Sequence, residues 1–266
     1  MSCRIDEIFA ELRAEGRTAL MPFVTAGYPS LETTAAVVPA LEQAGAHIVE
    51  LGIPYSDPIA DGPVIAASMH EALLGGVTPR AVFDLVRQLR SQTKLGLVAM
   101  VSNSIIQRMG PAQFVAEAAG AGFDGLIVPD IDIDSAEAIR KPAQDRAISF
   151  SLLIAPTTPE DRIGRITALC SGFVYLLARV GITGEREDVP DLTARVQTVR
   201  RHTDLPITVG FGISKPQHVA AVTASADAAI VGSALVRRMG QAKDPVAAAA
   251  SFISELAGSL SPASPR

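Results

Sequence analysis

Glu50 and Asp61 bracket the segment 50–63, ELGIPYSDPIADGP, a Gly/Pro-rich loop that leaves a short apolar run. Glu50 interrupts residues 46–53, AHIVELGI, which read as a buried strand, where a packed core tolerates no carboxylate without a partner. A strand-end Glu held by a neighbouring Arg or backbone N–H is the purely structural alternative. Pro54 and Pro58 restrict the backbone beyond the strand, so Asp61 is delivered to a defined position above the strand ends. Two carboxylates set around one loop form an arrangement for acid–base chemistry.

Other chemistries find less support. His47, His70, His202 and His218 lie far apart with no HxH or HxxxH pairing, and Cys3 and Cys170 form neither a CxxC site nor a disulfide framework, so no metal centre is expected. Cys170 reads as a small core residue. A net charge of −5 argues against a broad basic field for nucleic acid or anionic membranes, and the doublets Arg200-Arg201 and Arg237-Arg238 read as helix ends. The apolar stretch 218–236 is broken by Asp227 and Gly232, and reads as a helix followed by a strand instead of a membrane span. The opening MSCRIDEIFAELRAEG carries Ile5, Ile8, Phe9 and Leu12 at helical spacing with charges between, unlike a signal peptide, so a cytoplasmic protein is expected.

The elements that must position the carboxylates repeat along the chain. Eight short β-rich runs, 19–25, 47–53, 96–101, 125–128, 149–155, 173–178, 206–210 and 228–231, alternate with amphipathic segments, several of which open on Pro. Such alternation predicts parallel strands joined by right-handed crossovers, and this many units in 266 residues fits a (β/α)8 TIM barrel, α/β in class. A doubly wound open sheet is the alternative; no GxGxxG follows the first strand to support it. Residues 2–15 add a leading helix that caps the barrel bottom, and 64–74 add a helical insert after strand 2. We expect one domain over 1–266, with 259–266 fraying as a disordered tail.

Three glycine-bearing connections cluster in the last third: GITGERE from Gly181, VGFGIS from Val209 and IVGSALV from Ile230. In a barrel they converge, so Gly184, Gly212 and Gly232 present backbone N–H groups to an anion, with Ser233 fitting the N-cap of the last barrel helix. This reads as a phosphate cradle. The charged loop 179–190 reads as a lid, with Thr183 between two glycines able to close over substrate; an ordinary solvated loop, which Glu185, Arg186, Glu187 and Asp188 would equally satisfy, is the alternative. Schiff-base chemistry wants a lysine at a strand end; Lys94, Lys141, Lys215 and Lys243 fall before strands or in helices and loops. What remains is acid–base chemistry by Glu50 and Asp61 on a phosphorylated substrate whose own ring accepts electrons.

ELGIPYSDPIADGP, the opening PFVTAGYP, ARVGITGERE, and GFGIS followed by VGSAL resemble the tryptophan synthase α subunit family, over nearly the whole chain. The resemblance implies a lyase that cleaves indole-3-glycerol phosphate to indole and glyceraldehyde 3-phosphate in tryptophan biosynthesis. Glu50 would be the general acid at indole C3 and Asp61 would take the indole N–H. By the same match the indole lies among Phe23, Ile127, Leu153, Phe211 and Ile230; Tyr175, at the sixth strand, can orient Glu50 or the substrate, with a buried core tyrosine as the alternative. The resemblance also implies a partner, the pyridoxal-phosphate (PLP) β subunit, in an αββα assembly contacted at Asp57 and Pro58. This chain would itself need no cofactor.

The chain departs from the family at Val101, where a tyrosine is frequent two residues before Asn103, at Ser104, where a proline is frequent, and at Ala66, where glutamine is frequent. Two rivals stand beside this reading. One is another phosphate-binding barrel, an isomerase or epimerase; the other is a subunit that binds phosphate and activates a PLP-dependent partner without chemistry of its own.

Overall fold

The structure is a computed structural model that describes residues 3–58, 61–179, 192–210 and 212–263. The described chain opens with α1 (Arg4–Ala14), β1 (Ala19–Thr25), α2 (Leu31–Gln43), β2 (Ile48–Gly52), α3 (Pro63–Leu74) and α4 (Pro79–Leu89). It continues through β3 (Gly96–Met100), α5 (Asn103–Met109), α6 (Pro111–Ala121), β4 (Gly125–Ile127), a 3-10 turn (Ile133–Ser135) and α7 (Glu137–Asp145). The second half runs β5 (Ser149–Ser151), β6 (Leu153–Ile154), α8 (Glu160–Leu169), β7 (Val174–Leu177), α9 (Thr193–Arg200) and β8 (Ile207–Gly210). It ends with α10 (Pro216–Thr223), β9 (Ala228–Val231), α11 (Ser233–Gln241) and α12 (Pro245–Ala257).

All strand pairs are parallel, in the order β5-β4-β3-β2-β1-β9-β8-β7-β6. The two ends of that order, β5 and β6, are halves of one strand parted at Leu152, so the sheet closes on itself as the expected (β/α)8 barrel. At the break the ladder is replaced by side chains. The Leu152 N–H donates to Cys170 Sγ at 3.4 Å, and Ser171 Oγ accepts from the Phe150 N–H at 3.0 Å.

Proline sets many of the helix starts. It occupies the first turn of α3, α4, α6, α10 and α12, where its missing N–H costs nothing and its fixed φ suits the helix. Hydroxyl and carboxylate caps do the same work for α2 (Ser30), α4 (Thr78), α5 (Ser102) and α12 (Asp244). The expected leading helix and the insert after strand 2 are α1 and α3. Of the expected tail 259–266, residues 264–266 lie outside the described residues, and in the rest Ser261 donates its N–H to Thr223 Oγ1 at 2.9 Å, its carbonyl accepts from Thr18 Oγ1 at 2.7 Å, and the Ala263 N–H reaches Gly16 O at 2.9 Å. Residues 259–263 are thus tied to the barrel bottom by polar contacts that a composition reading does not reveal.

Alternation along the strands separates two cores. Leu20, Val49, Leu51, Leu97, Leu126, Phe150, Val174, Val209 and Ala229 face the helices. Met21, Ile48, Val98, Ile127, Phe173, Tyr175, Ala228 and Ile230 face the barrel axis, with Ile5, Ile8, Phe9 and Leu12 of α1 packed beneath them. A Cβ on Gly96 would stand 2.7 Å from Ile5 Cδ1, so that glycine admits the plug. Each fully buried apolar side chain of this kind stabilises the fold by about 1.5–3 kcal/mol.

Candidate active site

Pairing runs in register from Phe23 to Glu50, Val98, Gly125 and Ser149. Closing eight parallel strands staggers them, so alternate strands share layers of inward side chains. Glu50, Ile127, Tyr175 and Ile230 therefore form one layer. Above it, towards the C-terminal ends, the next layer is Phe23, Met100, Leu153 and Gly210. A Cβ at Gly210 would collide with the Tyr175 hydroxyl and lie 2.8–2.9 Å from its ring carbons, so the glycine is the space that lets Tyr175 point upward. Gly52 and Gly232 line the layer above that; a Cβ on Gly52 would stand 2.5 Å from the Phe23 ring. Glycine at these positions holds the mouth open where the lower layers are filled.

Glu50 sits at the floor of this space, 0% exposed, and neither carboxylate oxygen has a hydrogen-bond partner among the described residues. Burial pushes its carboxyl up to about 8. The structural alternative, a Glu held by Arg or backbone N–H, is therefore not what the strand carries. Asp61 lies two residues before α3, its N–H bonded to Pro58 O at 3.0 Å, with Gly62 at the helix cap and Pro63 opening the first turn. Burial pushes Asp61 up to about 6, the Tyr55 hydroxyl opposes that shift, and the Asp130 carboxylate adds to it. Tyr175, 7% exposed, is raised well above its ordinary value by burial, then by Glu50 and by Asp61, so both carboxylates act on one hydroxyl.

Phe23, Ile127, Leu153 and Ile230 face the axis as alternation requires. Thr183, Gly184 and Phe211, with the loop 180–191, lie outside the described residues. Gly212 has φ +83°, a left-handed turn that favours glycine, at the end of β8. Gly232 and Ser233 follow β9, but Ser233 is a correction: Gly232 holds the cap position of α11 and Ser233, 8% exposed, is the first helical residue with no capping hydrogen bond. Its backbone N–H is then one of the helix's unpaired donors, so the position still suits an anion. Asp57 is exposed beside Ser56, whose hydroxyl donates to it at 2.6 Å, and Pro58 is half-buried.

Tyr55, Met100 and Asp130 belong to the mouth and are not legible as site residues in isolation. Tyr55 stands in the 50–63 motif, so its place was in view; Asp130 follows β4 at the matching strand end. Asp130 accepts from Ser102 Oγ at 2.7 Å and from the Asn103 N–H at 2.8 Å, which ties together the loops after β3 and β4. Val101 belongs to the outer core, so that position sends no side chain into the mouth. All four lysines are exposed, and no group of three or more His, Cys, Asp or Glu suited to a metal occurs among the described residues. No described helix is long and apolar enough to cross a membrane.

Residues 9–263 match the family model described as tryptophan synthase alpha chain. The chain is 46% identical to the tryptophan synthase alpha chain of Chloroflexus aggregans over 257 residues, covering 95% of this chain and 96% of the relative. It is 39% identical to that of Arabidopsis thaliana, over 91% of this chain and 88% of the relative. Among solved structures, tryptophan synthase of Mycobacterium tuberculosis superposes with TM-score 0.91 at 31% identity, covering 98% of this chain and 99% of that one. The tryptophan synthase subunit alpha of Legionella pneumophila superposes at 0.90 with 32% identity, over 97% and 98%. This chain belongs to the tryptophan synthase alpha chain family.

Proposed function

We propose that this chain, as the α subunit of a tryptophan synthase, cleaves indole-3-glycerol phosphate into indole and glyceraldehyde 3-phosphate with Glu50 and Asp61 as its acid–base pair. The observation that carries the assignment is the unpartnered Glu50 carboxyl at the floor of an open barrel mouth, raised by burial to about 8. It is protonated at neutral pH, and no described residue holds the proton it would donate. Asp61, at about 6, is ionised there. One fold thus holds an acid and a base that both act on Tyr175, kept apart in protonation because their environments differ.

The steps balance on these two groups. Glu50 delivers its proton to indole C3, and positive charge develops at the ring nitrogen. Asp61 accepts the indole N–H and stabilises that charge more in the transition state than in the ground state. The Glu50 carboxylate then takes the proton of the glycerol hydroxyl next to the ring. The C–C bond breaks, its electron pair returns to the ring, and indole and the aldehyde separate. Tyr175 bounds the floor opposite Glu50. Phe23, Ile127, Leu153 and Ile230, with Phe211, would clasp the indole. Gly212, Gly232 and the Ser233 N–H, with Gly184, would hold the phosphate, and Thr183 would close above.

A β subunit is the expected partner, since the M. tuberculosis neighbours are tryptophan synthase structures, and an αββα assembly with contacts at Asp57 and Pro58 suits their place at the barrel mouth. PLP would belong to that partner; with every lysine of this chain exposed, the pocket offers none for a Schiff base. The test is release of glyceraldehyde 3-phosphate, alone and with β subunit, by native protein, Glu50→Gln and Asp61→Asn. Losses of roughly 10²-fold or more in both variants support the pair. An inactive native chain that still raises β-subunit turnover would establish the non-catalytic subunit instead.

A further inference from the structure

We infer that Tyr55 is a positioning residue for the reaction, its hydroxyl holding the Asp61 carboxylate in the orientation that receives the indole N–H. The inference rests on the reading of Asp61 given above and names a group that reading does not use.

The Tyr55 hydroxyl donates to Asp61 Oδ2 at 3.4 Å, a long bond of the kind that tightens when substrate closes a site. Its ring is not free to drift. It packs on the cluster of Phe23, Ile65, Met69 and Val236, beside Met100 and Val64. Pro54 fixes the backbone just before it, and Asp61 is anchored through its own N–H to Pro58 and through Gly62 and Pro63 to α3. Donor and acceptor are therefore held by separate pieces of the mouth, one by the aromatic cluster and the other by a helix start.

The alternatives for that acceptor are occupied or absent among the described residues. Val101 points into the outer core, and Ser102 Oγ already donates to Asp130. The charged and titratable groups that surround the pair add no cation: Asp130 after β4 acts on both Asp61 and Tyr55, Asp57 acts on Tyr55 from the same loop, and Asp61 and Glu50 both act on Tyr175 from β2 and its loop. Burial and Asp130 both oppose ionisation of Asp61, and the Tyr55 hydroxyl is the described group that favours it. Losing that hydroxyl must make Asp61 harder to ionise as well as freer to rotate.

Tyr55→Phe keeps the ring and removes the bond. In the full chain, kcat is expected to fall by roughly tenfold with KM little changed, and the acid limb of kcat/KM to move up by roughly half to one pH unit. The same upward move is expected in the Asp61 carboxyl titration followed by 13C NMR, which needs no turnover. The change should vanish in an Asp61→Asn background, where the double-mutant cycle leaves Tyr55 nothing to orient. A purely structural role would lower the melting temperature and leave limb and titration in place, which overturns the inference. If Asp61→Asn itself stays within a few-fold of native, the reading of Asp61 has failed; if Asp61→Asn is inactive while Tyr55→Phe titrates like native, only the Tyr55 inference has.

Discussion

The carboxylates beneath the barrel and the Glu50–Asp61 pair at its mouth are treated in opposite ways. On the N-terminal face Asp124 accepts from the Leu97 N–H at 2.8 Å and lies 3.3 Å from Arg90, and Asp227 accepts from the Ile207 N–H at 2.8 Å and from Arg200 at 3.1 Å. Glu42 there takes the Thr93 hydroxyl at 2.6 Å and the Lys94 N–H at 3.0 Å. At the mouth, among the described residues, Glu50 has no hydrogen-bond partner, and Asp61 has one long bond from Tyr55 beside its own backbone anchor. Hydrogen bonds to a charged group contribute about 1.5–3 kcal/mol each, so the lower carboxylates hold strand starts in place. Glu50 and Asp61 are left short of partners, unlike Asp130 at the same mouth, a cost that a fold keeps where protons must move. Side-chain volume repeats the contrast: α1 plugs the bottom, while Gly52, Gly210 and Gly232 hollow the mouth.

Removing the Glu50 carboxyl should have the largest effect and split activity from stability. Glu50→Gln is expected to lose roughly 10²–10⁴-fold in turnover. It should also be the more stable protein at neutral pH. The folded carboxyl sits at about 8 against an ordinary 4.5, so its contribution to stability is fully present below about 4.5 and is lost as pH rises to about 8. Native protein should fall behind the variant by about 3 kcal/mol at pH 7 and match it near pH 4.5, read by denaturant unfolding across that range. A native–variant difference that stays the same at both pH values would mean that Glu50 is not a strained buried acid.

Gly210→Ala should come next, because the new methyl must displace Tyr175 from the layer it shares with Glu50. Turnover is expected to drop by about 10–10²-fold, on the scale of a 1 Å misplacement, with the fold retained. Activity close to native would show that Tyr175 has no set position in the mouth. Asp227→Asn tests the other face and should give the smallest change in chemistry. It weakens a half-buried pair with Arg200 and should cost about 1–3 kcal/mol of stability while kcat stays within about twofold of native. A loss of kcat without loss of stability there would erase the contrast between the two faces.

The sequence carried the barrel because its signals are local. β1 and β9 run from Ala19 to Thr25 and from Ala228 to Val231, as their apolar runs require, and α4, α6 and α12 begin on the prolines that mark them. Features set by distant residues were not legible. The split at Leu152 depends on the Cys170 thiol of a later helix end, and α5 has seven residues with only Ile106 buried, too little for a periodic face. Ser233 reads as a cap because serine prefers that position, whereas Gly232 takes it in a conformation of φ −113° and ψ −89°. Glu50 and Asp61 stood out because a carboxylate inside an apolar run and another after two prolines are anomalies that sequence alone exposes. Tyr55 did not, since an aromatic residue beside a strand end reads equally well as packing.

The pH dependence of kcat/KM for indole release, measured on native protein from about pH 5 to 9, tests the central claim most directly. With Asp61 required as its anion and Glu50 as its acid, the account gives a bell that falls below about 6 and above about 8. Glu50→Asp should retain a weakened bell, and the residual activity of Glu50→Gln should show no alkaline limb. A flat profile through both limbs in native protein, or an alkaline limb that persists in an active Glu50→Gln, would contradict it.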